Sequence, residues 1–299
     1  MTGFWHQIFN FADYRELLAL VHNSLIAGAA LGVVGGLIST FVMMRDLPFA
    51  VHGISELSFA GASGALLLGV NVVAGSLAGS LLAALVIGAL GSRARDRNSI
   101  IGVLMPFGLG LGVLFLALYK GRSANKFGLL TGQIVAVDTP QLTWLLGTSA
   151  LVLAALVVIW RPLTFASTDP EVAAARGVPV GLLSPVFMIL LGLTVAMSVQ
   201  IVGALLVLSI ICTPAAAAMR VTAAPRLVTL LSVLFAVCSM VGGILLALGS
   251  SIPISPYVTT ISFVIYLTCR VIGRARRLDS PIGNGYHFRQ RIRRIGQPA

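Results

Sequence analysis

Long apolar runs, each ended by a short polar stretch, fill the chain from residue 22 to residue 273. A membrane-crossing helix needs about 20 mostly apolar residues. On that scale the pattern predicts nine spans, at 22–44, 50–70, 72–92, 98–119, 140–160, 180–199, 200–219, 226–249 and 254–273. The division within 180–219 is the least marked, because Gln200 alone interrupts it; the run reads as two spans or as one span followed by a re-entrant piece. Residues 1–21 read as an external segment lying at the interface, carrying Trp5, Phe9, Phe11 and Tyr14, and residues 274–299 as a basic tail. The first run does not read as a cleaved signal peptide, since it starts late, behind an acidic and aromatic stretch, with no basic region before it. Gly28 and Gly32, Gly75 and Gly79, and Gly108 and Gly112 recur at the spacing that lets helices approach closely in lipid. The expected fold class is all-α, a polytopic transmembrane helix bundle of about nine spans.

Composition narrows the class further. Of the 299 residues 58% are hydrophobic and only 10% charged, against about 25% charged in ordinary soluble domains. A water-soluble enzyme or a disordered chain is excluded on that balance. The net charge of +11 has a source other than nucleic acid, since basic residues collect in the cytoplasmic loops of membrane proteins. With nine spans and an internal C-terminus, one side of the membrane receives Arg45, Arg93, Arg95, Arg97, Arg161, Arg176, Arg220 and Arg226. It also receives the tail arginines Arg270, Arg274, Arg276, Arg277, Arg289, Arg291, Arg293 and Arg294, making 16 of the 20 basic residues. Only Arg15, Lys120, Arg122 and Lys126 remain outside. Cys212, Cys238 and Cys269 are scattered in apolar stretches and read as small buried hydrophobes.

Catalytic chemistry is largely excluded. Lys120 and Lys126, preceded by Tyr119 and Asn125, cannot form the Gly-Lys-Ser/Thr end of a phosphate-binding loop, and no HExxH is present. The chain is therefore not expected to be an enzyme. Every acidic residue but one falls in a terminus or loop; the exception is Glu56. A carboxylate inside a span costs about 2.5–3.5 kcal/mol or more, and so marks an ion path or a paired structural site. His52 precedes it by four residues, on the same helical face. Imidazole with carboxylate is a donor set that suits Zn²⁺ or Mn²⁺; the plain alternative is a structural His–Glu pair satisfied within the bundle. Ser55 beside them and Gln200 are candidates for lining the same path.

The loop 161–178 holds a second pattern. Thr168 and Glu171 stand at capping-box spacing, Pro170 suits a first helical turn, Val172–Arg176 is helix-prone and Gly177 is placed as a stop. So short a helix is marginal alone, and docks either on a partner or on its own bundle.

Four segments resemble one family. TFVMMRDLPFAVHGISELSFAGASG (residues 40–64), SVQIVGALLVLSIICTPAAAAMR (198–220), DPEVAAARGVPV (169–180) and GLLTGQIVAV (128–137) are similar to motifs of the permeases of bacterial ABC importers for zinc and manganese, the metal-type ABC-3 permeases. The resemblance covers nearly the whole chain. It implies the transmembrane subunit of an importer for a divalent transition metal, zinc first, with manganese or iron as alternatives. The metal is then substrate, and no cofactor is bound permanently. It implies a homodimer or a pair with a close paralogue in the bacterial plasma membrane, C-terminus cytoplasmic, receiving metal from an extracytoplasmic binding protein. A separate cytoplasmic Walker-A ATPase uses the ATP, and couples through Asp169, Pro170, Glu171, Val172, Ala175, Arg176 and Gly177. The chain departs from the pattern at one place: the family commonly runs Asp then His where this sequence runs His52 then Glu56. Two other readings stand beside this one, a proton-coupled secondary transporter and an ABC permease for a chelated metal or another small nutrient.

Overall fold

Several helices open at a proline, Pro48, Pro170 and Pro225 among them, while Pro106, Pro162 and Pro185 lie within helices that continue through them. The computed structural model describes residues 21–90, 94–121, 128–129, 137–248 and 253–278. The external segment before residue 21 and the tail beyond 278 lie outside the described residues, as does most of the 128–137 motif. The helices are α1 (His22–Met44), α2 (Pro48–Leu68), α3 (Val72–Leu90), α4 (Ala94–Leu118), α5 (Thr139–Thr168), α6 (Pro170–Ala175), α7 (Val180–Val202), α8 (Val207–Ile211), α9 (Thr213–Val221), α10 (Pro225–Ala247) and α11 (Ile254–Leu278). No strand occurs among the described residues.

Eight of these helices are long and apolar enough to cross a bilayer. The ninth expected span, 200–219, is not one helix. Gly203, at φ 84°, stops α7, and a 3-10 turn over Ala204–Leu206 leads into α8. The chain then breaks again at Cys212 before α9, where Pro214 lacks the N–H that would continue the ladder. The broken element nevertheless runs the length of α11. Ser255 Oγ donates to the Val202 carbonyl at 3.5 Å, Ser262 Oγ to the Ser209 carbonyl at 3.2 Å, and Gly273 rests against the Arg220 carbonyl. It therefore passes through the same depth as a full span, which keeps the ninefold alternation.

Cross-links between elements sort the chain into two ends. Arg45 Nη2 donates to Ser184 Oγ at 3.2 Å and Arg97 Nη2 to the Asp46 carbonyl at 3.5 Å, at the end that also holds Arg161, Arg220 and Arg226. At the other end Asn23 Nδ2 donates to the Val137 carbonyl at 3.4 Å and Gln200 Nε2 to the Val72 carbonyl at 3.2 Å. The loops that the charge count groups together thus lie at one end in space.

Two differences from the sequence reading concern α5. The helix continues through Pro162 to Thr168, so residues 161–168 are helix rather than loop. Thr168 spends its hydroxyl on the Thr164 carbonyl at 2.9 Å and does not cap α6. Of the three cysteines only Cys269 is buried; Cys212 is partly exposed and Cys238 exposed.

α2, which carries the candidate pair, is fixed at both flanks. A tight turn precedes it: Leu47 N–H donates to Val42 O at 2.9 Å and Asp46 N–H to Met43 O at 3.5 Å, with Asp46 at φ 53° in the left-handed position usually given to Gly. Pro48 then opens the helix. Along its length α2 lies against α3, where Gly61 meets the Gly75 carbonyl, and Ser58 and Ser76 share a buried hydroxyl pair at 2.8 Å. A Cβ at Gly61 would strike that carbonyl. Gly61→Val is expected to lower stability by about 1–3 kcal/mol, read as a lower melting temperature of the purified protein in detergent. An unchanged melting temperature would mean that α2 and α3 separate without cost.

Candidate functional site

His52 and Glu56 occupy the second and third turns of α2, one above the other on one face. Nε2 of His52 lies 3.7 Å from Oε1 of Glu56, close enough for both to hold one cation and too far for a hydrogen bond. Nδ1 of His52 is buried with no partner, and the Glu56 residue is only 5% exposed. Leaving that ring nitrogen without a partner is costly, and the ring meets Glu56 only as an ion pair through its other nitrogen. α4 closes in behind them because Gly108 has no side chain; a Cβ there would stand 3.0 Å from the Glu56 backbone. The pair is not sealed, however: the His52 side chain is 31% exposed.

The chemistry of two donors is limited. Among the described residues no third His, Cys, Asp or Glu joins them. Resident zinc sites take three or four protein ligands, so one imidazole and one carboxylate suit an ion in passage rather than one held permanently.

The other expected lining residues are not brought to the pair. Ser55 is fully buried and its hydroxyl donates to the His52 carbonyl at 2.8 Å, a contact within the helix. Gln200 sits at the far end of α7, bonded to Val72 and facing a small apolar pocket with Gln141, Trp144 and Met197. With Gly61 opposite Gly75, Val72 lies beyond Gly61, while His52 lies nine residues the other way, about 13 Å along α2.

The second motif is a six-residue helix with defined ends. Asp169, not Thr168, is its N-cap: its carboxylate accepts from Val172 N–H at 3.0 Å. Pro170 and Glu171 form the first turn. At the other end Val178 N–H donates to Ala173 O and Gly177 N–H to Ala174 O, both at 3.0 Å, with Gly177 at φ 82°. Ala173 is fully buried in a small cluster with Ala166 and Leu183, so the helix is pinned to the bundle on that side. Glu171, Val172, Ala175 and Arg176 are exposed on the other. Sequence reasoning missed the cap, although the Asp169-Pro170 pair signals one.

It also missed Arg45 as more than a loop charge. Its guanidinium lies over the Phe187 ring, 5.4 Å from the centroid, besides bonding Ser184, and so ties the end of α1 to α7 beside the pair's helix. Burial, and then the neighbouring Arg97, push Arg45 below the ordinary arginine value.

Residues 18–273 match the ABC 3 transport family. A manganese import system permease protein, ScaB, of Streptococcus pneumoniae is 31% identical over 220 residues, covering 71% of this chain and 75% of that protein. A manganese transport system membrane protein, MntC, of Halalkalibacterium halodurans is 27% identical over 245 residues, 82% of each chain. Among solved structures, PsaBC from Streptococcus pneumoniae in complex with Fab superposes with a TM-score of 0.79 at 24% identity, over 90% of this chain and 100% of that one; it shows the same fold.

Proposed function

Because the chain belongs to the ABC 3 transport family, a family of multi-span transporter permeases, we propose that it passes a divalent transition metal inward through the plasma membrane, driven by a separate cytoplasmic ATPase. The observation that carries this reading is the His52–Glu56 pair, an imidazole and a carboxylate 3.7 Å apart inside a span. Manganese is the first choice of metal, on the names of the relatives. Zinc, the first expectation from sequence, remains the second reading, because half the pair is imidazole, a ligand better suited to zinc than to manganese.

The exposed side of His52 supports a dimer. A polar ring at that depth does not face lipid without cost. A second copy placed across this face by two-fold symmetry covers it and brings a second His–Glu pair, making four donors around one path. The basic end is then cytoplasmic by the positive-inside rule. It presents the exposed face of α6 to the ATPase, and the opposite end receives metal from an extracytoplasmic binding protein.

The test is reconstitution of the chain with its ATPase in proteoliposomes, with ATP on the side of the basic loops. ATP-dependent manganese accumulation, competed by zinc, is the expected result. Uptake driven by a pH gradient without ATP would make it a secondary transporter, and uptake only in the presence of a chelator would make the substrate a chelate.

A further inference from the structure

Away from the pair, the last turns of α1 and α5 and the first turn of α10 enclose a cleft of about 850 Å³ at the basic end. Its floor is apolar, with Phe41, Met44 and Phe165, and its rim carries two exposed guanidiniums, Arg161 and Arg226. Among the described residues neither has an acidic partner, the His52–Glu56 ion pair lying outside this cleft. Two rim threonines have their protons already placed: Thr164 Oγ1 donates to Trp160 O at 2.8 Å and Thr229 Oγ1 to Pro225 O at 3.0 Å. Both residues line the cleft, and their oxygens keep only acceptor capacity.

We propose that this cleft binds an acidic glycerophospholipid, its phosphodiester between Arg161 and Arg226 and its headgroup hydroxyls donating to Thr164 and Thr229. Guanidinium is the side chain that recognises phosphate with a fixed fork of donors. What selects a lipid over a soluble anion or a protein is the direction of the walls. One turn deeper, Val157 on α5 is 75% exposed and Leu230 on α10 is 65% exposed. These residues continue the faces of Arg161 and Arg226 toward the middle of the bundle, where acyl chains lie and a cytoplasmic protein does not reach. Basic pockets between spans at the cytoplasmic side are a recognised setting for anionic headgroups. α5 continues directly into Asp169 and α6, so a lipid here braces the helix that leads to the exposed loop.

The test is native mass spectrometry of the delipidated full chain, titrated with phosphatidylglycerol or phosphatidylcholine. Phosphatidylglycerol adducts are expected in clear excess. Each arginine removed is expected to cost about fivefold in their abundance, so that Arg161→Ala with Arg226→Ala falls to the phosphatidylcholine level at an unchanged melting temperature. The paired lysine replacements retain most of the binding, and excess inorganic phosphate leaves the adducts in place. Equal binding of the two lipids, or unchanged adducts in the alanine pair, overturns the proposal. So does displacement by phosphate, which would make the cleft a simple anion site. Loss of ATPase co-purification with lipid adducts intact would assign the arginines to the partner protein instead.

Discussion

Alanine at either His52 or Glu56 is expected to reduce metal uptake at limiting concentration by roughly 100-fold or more, while the chain still inserts and assembles. Each substitution removes one of two donors that stand 3.7 Å apart with no third His, Cys, Asp or Glu beside them among the described residues. No other donor of that kind is there to compensate. Folding is not expected to suffer, because neither side chain is hydrogen-bonded to another element and His52 is partly open. Glu56→Gln keeps the shape and loses the charge; uptake should fall nearly as far if the carboxylate neutralises a cation. The exchange His52→Asp with Glu56→His sets the pair in the order of the family motif. Uptake that survives the exchange but not the alanines would show that the donor set matters and its order does not. Radiolabelled manganese uptake in proteoliposomes reads all four variants. If every one of them transports normally, the pair is structural.

Much of this architecture was legible because the bilayer imposes so few solutions. Apolar length alone places the eight long helices, and the charge alternation groups Arg45, Arg97, Arg161, Arg220 and Arg226 at the one end where the contacts put them. The division near Gln200 was legible, and α7 ends at Val202 close to it; the second break, at Cys212, was not. Hydropathy is blind to it, since Pro214 sits in sequence as apolar as its neighbours. In a span a stopped helix is tolerated because α11 runs alongside and takes up freed carbonyls such as those of Val202 and Ser209. The pair itself was legible for a different reason: one carboxylate among spans that otherwise lack one is conspicuous. Ser55 and Gln200 do not stand with it, because polarity alone does not place a side chain: in lipid a hydroxyl or amide is as readily consumed by a nearby carbonyl, here those of His52 and Val72.

The second large effect is expected at the exposed side of α6. Ala175→Arg should abolish co-purification of the ATPase, and with it ATP-driven uptake, without altering the melting temperature of the permease. α6 is held rigidly from behind and free in front. Ala173 is buried against Ala166 and Leu183, the Asp169 carboxylate caps one end, and the left-handed Gly177 closes the other. That leaves Val172, 43% exposed, and the exposed Ala175 as the small apolar surface on which the proposed coupling to the ATPase rests. An arginine at 175 places a charge and several methylenes where a partner must close. Loss of a central contact of this sort costs about 2 kcal/mol or more, a factor of roughly 30 in affinity. The discriminating control is Ala173→Arg. That side chain points into the bundle, so the same substitution there should unfold the loop and lower the melting temperature as well. Asp169→Ala should fall between them, losing about 1 kcal/mol of helix stability with the cap and weakening coupling in proportion. Normal co-purification together with normal uptake for Ala175→Arg would mean that the ATPase grips the permease elsewhere, and that the capped helix serves only to turn the chain from α5 into α7.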